Sequence, residues 1–73
     1  MSLYGQKPRN FTIPAKWSRS GLLVNAYARG RFEHADGLRL KTNPFPPGKR
    51  HQAWIAGWLD ADAEAIAKMK GES

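Results

Sequence analysis

Three prolines stand within four positions, at Pro44, Pro46 and Pro47, and Gly48 follows them. Each proline removes a backbone donor, fixes φ and restricts the residue before it, so neither a helix nor a central strand can run through this stretch. The chain is therefore divided at one place. Whatever core it builds must pack the part before the break against the part after it.

After the break, residues 49–70 read as one long helix. Trp54, Ile55, Trp58, Leu59, Ala61, Ala65, Ile66 and Met69 recur at helical spacing and predict a broad buried stripe. Ala56, Ala63, Ala67, Asp60 and Glu64 fall on the opposite side, which is read as solvated. Alanine is the best helix former, and Glu64 with Lys68 makes a favourable pair four apart. Asp62 falls inside the apolar stripe, either exposed beyond the end of a shorter partner helix or paired with an arginine. The two tryptophans would supply much of a small core, with Phe45 plugging its end.

Before the break, a first helix is predicted over about residues 18–35. Ser18 and Ser20 are both good N-caps, and Gly37 is a C-terminal stop. Leu22, Leu23, Ala26, Tyr27 and Gly30 share one face at 100° per residue. Arg29 and Arg31 flank it. Residues 38–42 alternate apolar and polar, which suits an extended connection or a short strand. Residues 1–17 show no helical period and read as an extended basic arm, docked through Phe11, Ile13 and Trp17, with residues 11–13 able to form a short strand. Both helices contain a small residue four before a glycine, Ala26 to Gly30 and Ala53 to Gly57, a spacing that permits close approach. The expected fold is all-α: a two-helix antiparallel hairpin (domain 18–73) with the N-terminal arm and a Pro-rich loop over 38–48.

At 73 residues the chain makes one domain, near the limit of independent stability. It has no cysteine, which excludes disulfides and thiolate metal sites. No apolar stretch has signal-peptide or membrane-spanning length, so a cytoplasmic protein without membrane insertion is expected. Net charge is +6, and ten of the twelve Lys/Arg but two of the six Asp/Glu lie in the first 50 residues. Such asymmetry favours a polyanionic partner for the basic part, whether RNA, DNA or an acidic protein. Lys7, Arg9, Lys16 and Arg19, interleaved with Phe11 and Trp17, are the types that contact phosphates and stack on unpaired bases.

Several chemistries find little support. His34 and His51 are the only histidines, and neither has carboxylates at ligand spacing, so no metal site is expected. A phosphate loop ending at Gly48-Lys49 would need a glycine where Asn43 stands and Ser/Thr where Arg50 stands. No single element combines the basic residues with the large apolar stripe, as an interfacial membrane helix would. No cofactor and no enzymatic activity are expected.

Asn43-Pro44-Phe45, followed by Arg50-His51-Gln52-Ala53-Trp54-Ile55-Ala56-Gly57-Trp58-Leu59-Asp60-Ala61, resembles the C-terminal signature of the ribosome modulation factor family. That signature has Pro and an aromatic, a short gap, and a helix reading R-x-x-W-x-x-G-W-x-x-A. Pro44, Phe45, Arg50 (one position early), Trp54, Gly57, Trp58 and Ala61 fill it, and Gly21, Ala26, Ala28 and Gly30 are similar to the family's first helix. The resemblance covers roughly residues 19–64. It implies a two-helix protein that binds the small ribosomal subunit near the 3′ end of its RNA and helps to silence translation during ribosome hibernation in bacteria. The chain departs from the pattern in a longer connection between Gly30 and Asn43, a longer arm and an acidic end.

These readings give an expected RNA-binding set of Lys7, Arg9, Lys16, Arg19, Arg29, Arg31, Lys49 and Arg50, held by a structural core of Phe45, Trp54, Gly57 and Trp58. The expected partner is the small ribosomal subunit or another RNA. The alternative is a small protein-binding module or inhibitor from an accessory or phage-like element, with no nucleic-acid role. Monomer and homodimer both stay open, since a second copy could cover Ile55, Leu59 and Ile66.

Overall fold

A computed structural model describes residues 11–71, which are all-helical: a two-helix hairpin with no strand among the described residues. Helix α1 spans Gly21–Ala35 and helix α2 spans Lys49–Gly71. Short 3-10 turns lie at Ala15–Trp17 and Leu40–Thr42. The predicted arm residues 1–10, with Lys7 and Arg9, lie outside the described residues.

Helix α1 takes the later of the two candidate caps, Ser20, two residues after Ser18. The side chain of Ser20 accepts from the Leu22 amide at 3.1 Å, whereas the Ser18 hydroxyl donates back to the Ala15 carbonyl and closes the preceding turn. The far end stops where glycine was expected to stop it. Gly37 has φ +91°, its amide donates to His34 O, and the next amide, Leu38, donates to Glu33 O at 2.9 Å. This paired closure satisfies the last carbonyls and needs a left-handed residue.

Neither expected strand forms. Residues 11–13 have no ladder partner; Phe11 and Ile13 pack against the core instead. In residues 38–42 the alternating pattern is overridden by a local turn. Both the amide and the hydroxyl of Thr42 donate to the Arg39 carbonyl, at 2.9 and 2.6 Å, which winds the chain into the 3-10 turn.

The Pro-rich loop is rigid for a second reason besides its prolines. The Asn43 side chain accepts from the Phe45 amide and donates to the His51 carbonyl, both at 3.0 Å. His51 Nδ1 donates to the Phe45 carbonyl at 2.9 Å. The loop is thus tied to the first turn of α2 from both of its ends, and Phe45 packs against the core as expected.

The helices cross where backbone meets backbone. A Cβ added to Gly30 would overlap the carbonyl oxygen of Trp54, and one added to Gly57 would overlap that of Tyr27. Ala26 and Ala53, each one turn earlier, are completely buried at the same crossing. The four-apart small residues therefore make the hairpin's closest contact, in a reciprocal arrangement. Around it sit the buried Trp17, Tyr27 and Trp54, with Phe11, Ile13, Leu23, Phe45 and Ala56 packed at the margins.

This close crossing turns α2 away from the orientation that apolar counting suggests. Leu59 is 47% exposed, whereas every residue over 63–70 is exposed: Ala63 and Ala67 as expected, and Ala65, Ile66 and Met69 because this end of the longer helix is uncovered on all sides. The side carrying Ala56, Asp60 and Glu64, expected to face solvent, faces α1. Asp60 accepts from the Tyr27 hydroxyl, and Glu64 pairs with Arg31. Asp62 was expected to be exposed or bonded to an arginine; it takes His34 Nε2 at 2.9 Å. Trp58 is only partly buried, its indole donating to the Leu38 carbonyl at 2.8 Å and its ring meeting His34 edge-on. Leu22, placed on the inward face of α1, is 61% exposed.

Candidate functional site

Residues of the turn before α1 and of the loop before α2 come together in the structure. As a result the starts of both helices border the same open groove, of about 840 Å³. One bank is the turn before α1, carrying Lys16 and Arg19. The other is the end of the Pro-rich loop with the first turn of α2, carrying Lys49 and Arg50. Trp17, Leu22, Leu23, Pro46 and Pro47 line the space between them. Among the described residues no carboxylate, histidine or cysteine lines the groove.

All four cations are exposed, and none is in an ion pair with a carboxylate among the described residues. Lys16 Nζ lies 5.0 Å from the Trp17 ring centroid, and the Arg50 guanidinium 5.5 Å from that of Phe45. These aromatic faces hold the stems of the cations without neutralising them. Neither α1 nor α2 has an acidic residue in its first turn, so the positive ends of both helix dipoles add to the same field. The arrangement concentrates positive potential from six sources, four side chains and two helix ends, on one apolar-floored channel.

Of the other expected RNA contacts, Lys7 and Arg9 lie outside the described residues, and Arg29 and Arg31 do not line the groove. Arg29 is held by Glu33 at 2.7 Å and lies over the Phe45 ring. Arg31 is bound to Glu64 and Tyr27, lies 4.4 Å from the Phe11 ring centroid, and leaves only 10% of its side chain exposed. Its own helix hairpin uses it up. The two aromatics expected to stack on bases are likewise turned inward, Trp17 being 8% exposed and Phe11 packed against the core.

Two sets of polar bonds that sequence spacing did not reveal tie the helices together. Tyr27, 1% exposed, donates to Asp60 and accepts from Arg31; Trp54 Nε1 donates to Glu33 at 2.9 Å. Burial raises the Tyr27 phenol pKa above its ordinary value, and the bond to Asp60 raises it further against the opposing pull of Arg31. Burial alone would raise Glu33, but the hydrogen bonds from Arg29 and Trp54 and the Arg29 charge outweigh it and hold the carboxyl below the usual range. Linkage then fixes two signs. Glu33 stabilises the fold above the pKa of a free glutamate, roughly 4, and that contribution fades as pH falls through its lowered value. Tyr27 contributes fully below about pH 10 and loses its contribution as pH rises through its raised value. We expect a stability plateau across neutrality with an acid limb that Glu33→Gln flattens, read by denaturant melts at stepped pH. An acid limb unchanged in Glu33→Gln would assign it to other carboxylates.

Among the described residues there is no group of histidines and carboxylates that could hold a metal, and no helix is long and apolar enough to cross a membrane. No family model matches the chain, and neither does any curated protein or any solved structure.

Proposed function

We propose that this chain is an RNA-binding modulator of the small ribosomal subunit, as its resemblance to the ribosome modulation factor family implies. The observation that carries the reading is the groove: Lys16, Arg19, Lys49 and Arg50, from two separate parts of the sequence, converge on one channel that no carboxylate lines among the described residues. Arg29 and Arg31 serve the fold instead of the ligand. Phosphates settle between the two banks, and the rigid Pro-rich loop keeps the second bank in place.

Co-sedimentation with 30S subunits at several salt concentrations tests this. Four phosphate contacts give a slope of log affinity against log salt of about −3, so affinity falls by roughly fiftyfold between 50 and 200 mM salt. Lys49→Glu with Arg50→Glu removes two contacts, weakens binding by tenfold or more and makes the slope shallower by about 1.5. Arg31→Gln, by contrast, lowers stability and leaves the slope alone. Binding that ignores salt, or no binding at all, ends the proposal.

A second reading, a protein-binding module, is favoured by one observation: Leu59, Ile66 and Met69 are exposed along the end of α2. A pull-down that recovers one cellular protein and no ribosomal RNA selects it.

A further inference from the structure

We infer that the groove takes an unpaired stretch of polynucleotide, with a base against its floor and phosphates at its rim, and discriminates against duplex. The inference rests on the RNA-binding reading above and adds the state of the strand. The floor carries it. Leu22, Pro46 and Pro47 are exposed between the two cationic banks, and Leu22 leaves 61% of its surface in water.

A site built only for phosphate has no use for apolar surface at its centre. The face of a nucleobase is flat and apolar, while its sugar-phosphate is anionic. In a duplex every base face is covered by its stacked neighbours, so only an unpaired nucleotide can offer one to a protein. Lys16 and Arg19 on one side, with Lys49 and Arg50 on the other, then hold the phosphates on either side of that base. At about 840 Å³ the groove lies within the roughly 300–1,000 Å³ of small-ligand sites. That is room for a nucleotide or two, and too little for the paired backbones of a helix. An acidic peptide would satisfy the same rim, and poly-glutamate, which carries the charge without a base, tells the two occupants apart.

Fluorescence anisotropy with the whole chain decides the matter. The probes are a labelled oligouridylate and a hairpin duplex with the same number of phosphates, at one salt concentration. The expected result is binding of the single strand about tenfold tighter or more, the worth of roughly 60 Å² of apolar surface taken out of water. Leu22→Ser, at an exposed position, is expected to melt like the parent and to weaken single-strand binding about tenfold without changing the salt slope. Equal or tighter binding of the duplex overturns the inference while leaving RNA binding intact. Poly-glutamate binding as tightly as the oligomer, or uridine monophosphate displacing it at equal nucleotide concentration, overturns it too, by assigning the groove to an acidic chain or a free nucleotide. Failure to bind either RNA at low salt removes the RNA reading itself.

Discussion

Gly30→Ala and Gly57→Ala will each force the helices apart and abolish cooperative folding. In a free helix the same change is favourable by about 1 kcal/mol, because alanine has less backbone freedom to lose than glycine. Here the new Cβ at position 30 would overlap Trp54 O and stand 3.0 Å from Trp58 N; at position 57 it would overlap Tyr27 O. These are backbone atoms inside helices, so no side-chain rotation relieves the clash. Overpacking ordinarily costs about 1–3 kcal/mol where side chains can move, and contact with fixed backbone costs more. A domain of this size has about 3–5 kcal/mol to lose. The thermal midpoint followed by circular dichroism should fall by about 15 °C or the transition should vanish. Gly21→Ala is the control, since nothing lies within 4 Å of its added Cβ. A Gly30→Ala protein that melts with the parent would show that the two backbones are not in contact.

Trp54→Ala has the next largest effect. The side chain is wholly buried, and its indole donates to Glu33. Loss of the ring costs about 3–5 kcal/mol, and the Glu33 carboxylate loses a donor as well. Trp58→Ala costs less, about 1–2 kcal/mol, because that ring is partly in solvent and rests on His34 and the Leu38 carbonyl. Equal losses from the two substitutions in denaturant melts would contradict the rotation of α2 described above.

That rotation is where the sequence was least legible. The two helices, the break between them, the stop at Gly37 and the plug at Phe45 follow from local rules: period, capping and proline geometry. Which face α2 buries does not. Counting apolar side chains favours Trp58, Ala61, Ala65 and Ile66, whereas the helices pack along Ala53, Trp54 and Gly57, where backbones can approach most closely. The signal was present in the matching spacings Ala26 to Gly30 and Ala53 to Gly57, and it outweighed greasiness. Once the small-residue stripe faces inward, Asp60 and Glu64 come with it, and Tyr27 and Arg31 become their natural partners. The same long-range pairing withdrew Arg31 from the expected RNA contacts. The groove was half legible: its four cations were all in the expected set, but nothing local indicates that a 13-residue connection brings both helix starts together.

The triangle of Asn43, Phe45 and His51 has a kinetic corollary. Because these bonds hold the second bank in shape without help from any guest, a strand bound as proposed would meet a finished receptor. Little ordering entropy is then charged to complex formation, and capture can proceed near the encounter rate that the surrounding field allows. Under that proposal release, governed by how many phosphates must let go at once, would be the step through which ionic conditions tune occupancy.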